Sequence, residues 1–543
     1  VEGNVRAIQE ALGRSAAGGS PPTASEEFLA RVRRDLAERF DPGNGGFGDA
    51  PKFPHPTAIS LLLLDAHRSG QPGPADRARL TLERMADGGM YDQIGGGFHR
   101  YSVDEGWHIP HFEKMAVDNA ALLDAYVEGA RRFGSARLAE VVRETVAFSR
   151  TVLGDPDGGF GTSQDADNAP GDDGSYFTWS RAELKEILAP EELRLIARFY
   201  GVGSLGRMPH DPDRNVLFRC LPLPEAAEGT GFGEDSAGRA LERARAKLAE
   251  ARSRRATPTI DRARYASVNG AFVRALAHAG PFLGEAAVVA DARRAADRFL
   301  AGGYRPEVGV PHRIGPEGPG GFGLLDDQAE FALGLVELSA ATARPEYLER
   351  AEELGELILK EFPGDGGLLR DLAPRLYDGP AIGTLGDPSY PLEDTPHLSA
   401  NAASALTFVR LAALTGQDRW RQAADALVAA LASRLASGGL FAAGSALAAG
   451  LKDLPSTRVV IEGDGPAAEA LWGAAMRSWN PLGYAFRGPP PEPFALPEEF
   501  ASPGGGPARA LLCRGTRCLA PITDPIALAE AYSARGSDPS SPP

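Results

Sequence analysis

A short glycine-rich motif recurs along this chain and constrains the fold more than any other part of the sequence. Each copy has two adjacent glycines followed by an aromatic residue or leucine, and the copies are Asn44–Gly48, Gly95–Phe98, Asp157–Gly161, Gly320–Gly323, Asp365–Leu368 and Gly438–Phe441. The first gaps between copies are about 50 to 60 residues, a period typical of repeat proteins. Paired glycines allow the positive φ angles of tight turns. The sequence therefore predicts repeated units, each closed by a glycine-rich turn.

Between these motifs the apolar residues recur three and four positions apart, which predicts amphipathic helices. The predicted helices are Glu26–Phe40, Ala58–Arg68, Lys114–Phe133, Ala136–Leu153, Ala182–Phe199, Arg239–Arg252, Gly270–His278, Ala286–Leu300, Asp327–Ala341, Pro345–Lys360, Asn401–Leu414 and Asp418–Leu435. Helices in hairpin pairs with glycine-rich loops are typical of a helical repeat. We therefore expect a mainly α fold, an (α/α)6 toroid of six helical hairpins with an inner and an outer ring.

Polar motifs precede alternate helices of this pattern. They are His108–Glu113, Ala266–Asn269, Asp326-Asp327 and Pro396–Asn401. Alternate helices of a toroid share one direction, so their starts meet at one face. Helix starts also offer unpaired N–H groups and a partial positive charge. We therefore expect these motifs to converge on one ligand pocket.

The character of the chain changes after about residue 450, which predicts the domain boundaries. Residues 25–450 form the predicted toroid and residues 451–535 a small α/β domain, because Thr457–Ile461 is typical of a buried strand and Gly465–Trp479 of a helix. Further strands are expected at Tyr484–Phe486 and Ala508–Cys513, and a last helix at Asp524–Arg535. Residues 1–24 are interpreted as a remnant or linker and residues 536–543 as a disordered tail.

The charge and the cysteine content exclude several classes of function. The net charge of −16 disfavours binding to a nucleic-acid backbone. No apolar run approaches the roughly 20 residues of a membrane span. Of three cysteines, Cys513 and Cys518 are too far apart in sequence for the two-residue spacing of a redox pair, and two sulfurs do not make a zinc site. We therefore predict a cytoplasmic protein with no nucleic-acid or membrane partner, no cofactor and no metal.

The segment from Gly95 to Asn119 has the highest density of reactive side chains. Three of the nine histidines of the chain lie here, with four acids, a lysine, a tryptophan and a tyrosine. Imidazole titrates near neutral pH and suits general acid–base chemistry. The predicted catalytic residues are His108, His111, Glu113 and Asp118, and the predicted binding residues of this segment are His99, Arg100, Tyr101, Trp107, Lys114 and Asn119.

Two other interpretations of this segment stay open. Its His and Asp side chains can instead hold a rigid loop by hydrogen bonds, with the aromatic residues as core. A metal site formed by His108, His111 and Glu113 is disfavoured, because Pro110 interrupts the helical geometry that such a motif needs.

Acidic pairs elsewhere complete the predicted binding set, with Asp165, Asp167, Asp326, Asp327 and His397. Asp165 and Asp167 lie in a glycine-rich loop and either face the pocket or form a solvated turn. The Asp326-Asp327 pair and the Asp394–Asn401 segment mark helix starts. Helix capping and dipole complementarity explain such residues equally well.

These residues resemble a known family. Asn44–Gly48 with Ala50–Pro54, and Gly95–His99 with Trp107–Asn119, resemble the thioredoxin domain-containing family that includes spermatogenesis-associated protein 20. Asp165–Asp167, Tyr176–Trp179, Asn215-Val216, Leu325–Asp327 and Cys513…Pro521 continue the resemblance over nearly the whole chain.

The resemblance implies a six-hairpin toroid similar to N-acylglucosamine 2-epimerases and six-hairpin glycosidases. It also implies a thioredoxin-like domain before the toroid. Val1–Leu12 resembles at most the last helix of that domain, so we expect the domain itself to be absent from this chain.

The second half departs from the family pattern. Asp261-Arg-Ala263, Val268-Asn-Gly270, Leu325-Asp-Asp-Gln328 and Leu398-Ser-Ala-Asn401 replace the usual residues. Such departures imply a narrowed specificity or a lost activity.

Two hypotheses follow. In the first, the chain is a carbohydrate-active enzyme, a sugar epimerase, isomerase or glycoside hydrolase that binds a saccharide or similar polyol and uses His/Glu acid–base chemistry. In the second, it is a catalytically inert scaffold or binding protein associated with a thioredoxin-like domain or redox partner. Fold analogy alone does not separate them.

Overall fold

The fold is described from a computed structural model. It covers residues 25–535 except 170, 173, 207, 378–388, 396, 489 and 496–506. The predicted N-terminal remnant and C-terminal tail lie outside these residues. No helix among the described residues is long and apolar enough to cross a membrane.

Helices dominate the described residues. They are α1 (Ser25–Arg39), α2 (Pro56–Ser69), α3 (Pro72–Asp87), α4 (Ala116–Phe133), α5 (Ala136–Phe148), α6 (Arg181–Ile187), α7 (Pro190–Phe199), α8 (Leu223–Ala227), α9 (Glu234–Ser253), α10 (Ala266–Leu283), α11 (Ala286–Gly302), α12 (Leu325–Thr342), α13 (Pro345–Glu361), α14 (Ala400–Thr415), α15 (Asp418–Arg434), α16 (Ala443–Leu451), α17 (Pro466–Arg477) and α18 (Pro525–Ser533). A π-helical turn, Ser149–Leu153, follows α5, and short 3-10 turns lie at Asp365–Gly367 and Gly439–Ala442.

The strands are short outside the C-terminal region. They are β1 (Tyr101–Ser102), β2 (Pro110–His111), β3 (Lys114–Met115), β4 (Ser163–Gln164), β5 (Trp179–Ser180), β6 (Arg214–Asn215), β7 (Ile260–Asp261), β8 (Arg264–Tyr265), β9 (Arg313–Gly315), β10 (Gly318–Gly320), β11 (Thr457–Glu462), β12 (Gly483–Arg487), β13 (Arg509–Arg514) and β14 (Arg517–Cys518).

The chain divides into two compact units. Unit 1 comprises Val1–Glu38, Thr57–Pro74 and Tyr265–Pro543, and unit 2 comprises Arg39–Pro56 and Ala75–Arg264. This division differs from the boundary that we predict near residue 450, which stays a prediction.

In unit 1, alternate helices pack side by side. Helix α12 contacts α10 and α14, and α14 also contacts α16, while α11, α13 and α15 pack as their partners. Helix α12 is buried on nearly every face from Leu325 to Ala340, as expected for an inner helix. Helices α10 and α12 approach closely, because a Cβ on Gly334 would lie 2.4 Å from the carbonyl oxygen of Gly270.

The predicted hairpin pattern is present in the order of the helices. Consecutive helices pack against each other in the pairs α4 with α5, α10 with α11, α12 with α13, and α14 with α15. The mainly α fold class of the (α/α)6 pattern is therefore confirmed.

One member of the predicted set of helices is wrong in its extent, because the segment Ala182–Phe199 is broken into α6 and α7 where Pro190 begins a new helix. The helix predicted at Arg239–Arg252 is present as part of α9. Helices α6 to α9 belong to a segment of unit 2 that packs around its own core, which includes Trp179, Leu195 and Leu248. The predicted set omits α3 and α16.

The C-terminal part of unit 1 forms a four-stranded sheet in the order β12-β11-β13-β14. Strands β11 and β12 run parallel with α17 between them in sequence, whereas β13 is antiparallel to β11 and to β14. Val459, Ile461, Leu471 and Leu512 form its core with α17 and α18. The strands and helices predicted after residue 450 are therefore present. Cys513 and Cys518 form a disulfide between β13 and β14.

Candidate functional site

In unit 2, the segment predicted to be catalytic is built around a small β-hairpin. Strands β1 and β2 pair with Tyr101 opposite His111, and the two rings stack at 5.1 Å between centroids. Trp107 lies in the loop between the strands at a φ of 64°. Its ring is fully buried, and its Nε1 donates to the carbonyl of Asn44 at 3.0 Å. Trp107 therefore anchors the loop in the core, and its predicted role as a binding residue stays a prediction.

Lys114 and His99 belong to a buried ionic network of unit 2. Lys114 donates to Asp92 Oδ2 at 2.8 Å, and Arg252 donates to both oxygens of Asp92 at 2.9 Å. The Arg252 guanidinium and the Lys114 ammonium hold the pKa of Asp92 well below its usual range despite its burial. Burial and the neighbouring Lys114 lower the pKa of His99 to about 3, so its imidazole stays neutral. The network matches buried charges and leaves Lys114 unavailable to a ligand in this conformation.

Asn119 fixes the glycine-rich turn that precedes the hairpin. Its Oδ1 accepts from Phe98 N at 2.7 Å, and its Nδ2 donates to the carbonyls of Phe98 and Met115, both at 2.9 Å. In unit 1, Asn401 holds Leu369, and Gln328 holds Val310, with the same pair of bonds to one backbone residue. An amide near the start of an inner helix therefore clamps the preceding segment, and this accounts for Asn119 structurally.

The four residues predicted to be catalytic differ in their contacts and in their burial. Glu113 pairs with Arg100 at 3.1 Å, and His108 lies 3.4 Å from Asp104 with its ring against Phe218. The Nδ1 atom of His111 is buried without a hydrogen-bond partner among the described residues. Asp118 is buried in the first turn of α4.

The acidic loop of unit 2 places its two predicted residues at the surface. Asp165 is exposed, and its Oδ1 accepts from Ala166 N at 2.7 Å. Asp167 is half-buried. These positions favour the solvated turn that the sequence left open.

Unit 1 contains a second group of the predicted residues, at the starts of its inner helices. Asp326 and Asp327 lie in the first turn of α12, so this helix begins earlier than the apolar pattern indicates. Asp327 is fully buried. Its Oδ1 accepts from Ser267 N at 3.1 Å and its Oδ2 contacts His312 Nδ1 at 2.8 Å. Because Ser267 begins α10, the starts of α10 and α12 meet here, as expected for these two helices.

Further titratable groups complete this site. Asp326 interacts with Asp327, Ser267, His397 and Asp371, and Glu330 one turn later on α12 pairs with Arg274 of α10 at 3.0 Å. We call Asp326, Asp327, Glu330, Asp371, His312 and His397 the Asp326 cluster. Tyr265 packs its ring against His312 at 4.7 Å. The predicted site residues do not include Glu330, Asp371, Arg274 or His312, although the four-residue spacing of Asp326 and Glu330 on one helix face is visible in the sequence.

The carboxyl groups of the cluster differ in the neighbours that shift their pKa values. Burial, and then the neighbouring Asp327, raises the pKa of Asp326 to about 6. Burial raises the pKa of Asp327 as well, against the opposing effect of His312. The hydrogen bond from His312 to Asp327 raises the pKa of the imidazole. A carboxyl group with a pKa of about 6 beside an imidazole can exchange protons with a ligand.

The described residues include no group of three or more His, Cys, Asp or Glu side chains arranged to hold a metal ion.

The chain has curated relatives, although no family model matches it. Spermatogenesis-associated protein 20 of Mus musculus is 31% identical over 457 residues, which cover 76% of this chain and 56% of the relative. The Homo sapiens protein of that name is 30% identical over 450 residues, with the same coverage of 76% and 56%. An uncharacterised protein of Caenorhabditis elegans is 26% identical over 483 residues, covering 82% and 64%. This chain thus spans about half the length of the first of these relatives.

Solved structures with some similarity include two carbohydrate enzymes. Cellobiose 2-epimerase from Bacillus thermoamylovorans is 11% identical with a TM-score of 0.46, covering 74% of this chain and 86% of that one. A family 76 glycoside hydrolase from a bovine Bacteroides thetaiotaomicron strain is 8% identical with a TM-score of 0.45, covering 78% of each chain. The relatives in sequence confirm the resemblance that the motifs indicate. This chain is a homologue of the proteins named spermatogenesis-associated protein 20 over 76% of its length.

Proposed function

We propose that unit 1 binds a saccharide or similar polyol at the Asp326 cluster and transfers protons to and from it. The observation that carries this proposal is the contact of His312 Nδ1 with the buried Asp327 at 2.8 Å, beside a second carboxyl group on Asp326. Carboxylates accept hydrogen bonds from hydroxyl groups, and the ring of Tyr265 next to His312 offers an apolar face. A polyol combines hydroxyl groups with such C–H faces.

The geometry suggests different roles for the two protonating groups. Asp327 orients the imidazole of His312 through Nδ1, which leaves Nε2 of this partly exposed ring to donate a proton. Asp326 accepts a proton, because its pKa of about 6 is close to neutral pH. A base and an acid of this kind suit epimerisation or isomerisation, in which a proton leaves one atom and another is delivered. Hydrolysis would require two carboxyl groups that flank the bond.

His108, His111, Glu113 and Asp118 of unit 2 stay predicted catalytic residues. Trp107, Lys114 and Asn119 have structural contacts that account for them. These contacts favour a scaffold as the second candidate function, for unit 2 alone.

The test is a screen of amino sugars, hexoses and disaccharides for binding by calorimetry and for turnover by NMR. We expect at least one compound to bind the wild-type chain, with binding or turnover reduced at least about tenfold in Asp326→Asn and His312→Gln. Asp418→Asn is the matched control, because Asp418 also begins a helix but its side chain is 74% exposed. The proposal is wrong if no compound binds or if the control and the cluster variants behave alike.

A further inference from the structure

The disulfide of the C-terminal sheet lies in a row with a cationic side chain. Cys513 on β13 is directly opposite Cys518 on β14, and on its other side it is opposite Arg458 on β11. Directly opposed residues of antiparallel strands point to the same face of a sheet. Arg458, Cys513 and Cys518 therefore share one face of the sheet. Strand β11, which carries Arg458, pairs directly with β13, which carries Cys513.

The two sulfur atoms differ in their exposure. Cys513 is 2% exposed, whereas Cys518 is half-buried on β14, the edge strand of the sheet. Cys513 and Arg458 line one cavity of about 690 Å³, with Ser456 and Thr516 on its wall. An incoming thiol at the open edge of the sheet therefore meets Cys518 first.

Arg458 has neutral hydrogen-bond acceptors. Its guanidinium donates to the carbonyls of Ala413 and Leu414 at the end of α14, and to those of Pro493 and Ala495. Glu492 on the same cavity and Tyr484 on β12 also act on it electrostatically. A positive charge on the residue opposite Cys513 favours the thiolate over the thiol at that position, which makes this sulfur a better leaving group.

A role in stability alone explains the bond poorly. It closes a hairpin whose cysteines are only five positions apart and whose strands already pair. In the chain-entropy model, the restraint on the unfolded chain grows with the length of the closed loop, so a bond over so short a segment contributes least.

We propose that the Cys513–Cys518 disulfide is an exchange site for a dithiol partner, which attacks Cys518 and releases Cys513. This inference is independent of the ligand proposed for the Asp326 cluster.

The exchange balances without any other reagent. A thiolate of the partner attacks Sγ of Cys518, a mixed disulfide forms, and the electron pair of the broken bond passes to Sγ of Cys513, the residue opposite Arg458 in the sheet. The second thiol of the partner then attacks the partner's sulfur atom in the mixed disulfide. This attack forms a disulfide within the partner and releases Cys518. Two electrons and two protons pass from the dithiol to this pair of cysteines.

The first experiment determines which sulfur is attacked. The experiment uses the full chain with Cys220→Ser, which removes the exposed free cysteine. One sample is treated with dithiothreitol without denaturant. A second sample is treated with glutathione, and peptide mapping then identifies the cysteine that carries the adduct. We expect reduction by dithiothreitol in the folded state and the glutathione adduct on Cys518. An adduct mainly on Cys513, or reduction only after unfolding, would overturn the proposal.

A second experiment tests Arg458. We expect Arg458→Gln to slow reduction at least about tenfold, while Arg458→Lys, which keeps the charge, stays within about threefold of the wild type. Equal rates for Gln and Lys contradict the role of the charge. Should Arg458→Gln fail to fold, thiolate absorbance against pH is compared for Cys513 in Cys518→Ser and Cys518 in Cys513→Ser. The proposal requires the lower pKa at Cys513, and the reverse order refutes it.

Discussion

Asp92 in unit 2 and Asp326 in unit 1 are both carboxyl groups in poorly solvated surroundings, and their neighbours differ in sign. Asp92 has Arg252 and Lys114 within hydrogen-bond distance, which lower its pKa. Asp326 has a second carboxyl group, Asp327, which adds to the effect of burial and raises its pKa to about 6. A buried acid with matched cations holds a structure together, whereas one beside another acid stays close to a protonation change.

The chemistry proposed for unit 1 lies away from the segment in which the histidines of the sequence are densest. The histidine-rich segment of unit 2 supplies buried anchors such as Trp107 and His99. Unit 1 brings together acids that lie far apart in sequence, Asp326 and Asp371, with His312 and His397. The number of reactive side chains in a segment describes only the local composition of the sequence. A site depends on which charged groups lie together in the fold without a partner of opposite charge.

The largest effect is expected when the matched network of unit 2 is broken. Asp92→Asn leaves Lys114 and Arg252 buried without their counter-charge, and we expect the free energy of unfolding of unit 2 to fall by about 3–5 kcal/mol. Denaturant unfolding followed by tryptophan fluorescence measures the loss, since Trp107 and Trp179 lie in this unit. Asp76→Asn removes an exposed partner of Arg79 and serves as the control. A loss below about 1 kcal/mol would show that the network is not structural.

The amide clamps test whether Asn119 is structural or ligand-binding. Asn119→Ala removes two buried hydrogen bonds to Phe98 and a partly buried one to Met115, and we expect a loss of about 2–3 kcal/mol without any ligand present. Asn401→Ala removes the equivalent clamp on Leu369 in unit 1 and should cost a similar amount. Thermal unfolding of the ligand-free chain compares them. An unchanged midpoint for Asn119→Ala, with a lowered one for Asn401→Ala, would return Asn119 to the set of binding residues.

The pH dependence of stability should differ in sign between the two acids. The raised pKa of Asp326 means that the folded chain keeps its proton from pH 3.8 to about 6, where the unfolded chain loses it. This contribution is complete below pH 3.8 and is lost as the pH rises through about 6. Asp92 behaves oppositely, because its lowered pKa gives a contribution that is present above pH 3.8 and lost on acidification.

Asp326→Asn should therefore be more stable than the wild type at pH 7.5, by on the order of 1–3 kcal/mol, and no more stable at pH 4. Unfolding midpoints measured from pH 4 to pH 8 test this difference. Asp418→Asn, on an exposed side chain, should show no such dependence. A wild type that becomes more stable relative to Asp326→Asn as the pH rises would refute the raised pKa.

The sequence predicted the helices well where a helix has one apolar face. It missed α16, whose small residues, Ala443 to Leu451, are buried on almost every side and give no clear period. It joined α6 and α7, although the proline at position 190 marks the break. The order of the pairs from α10 to α15 could be predicted, because each of these helices has one recognisable apolar pattern.

The candidate site could be predicted only in part. Asp326, Asp327 and His397 were in the predicted set because they lie at helix starts. His312 and Asp371 come from segments between helices, and only the fold brings them next to Asp326. The sequence does not show whether Trp107 lies in a pocket or in the core, because a tryptophan near two histidines is compatible with both positions.

The smallest effect is expected at the partly exposed pair of unit 2, Arg100 and Glu113. The pair is 3.1 Å apart, but 44% of the Arg100 side chain and 24% of the Glu113 side chain are exposed, so water and salt screen it. Glu113→Gln should change the free energy of unfolding by less than about 0.5 kcal/mol and leave any saccharide turnover within about twofold of the wild type. Turnover measured beside Asp326→Asn, in the same preparation, makes this the sharpest contrast between the units. If Glu113→Gln abolished turnover while Asp326→Asn did not, the chemistry would belong to unit 2, and the difference in charge matching would mark stability alone.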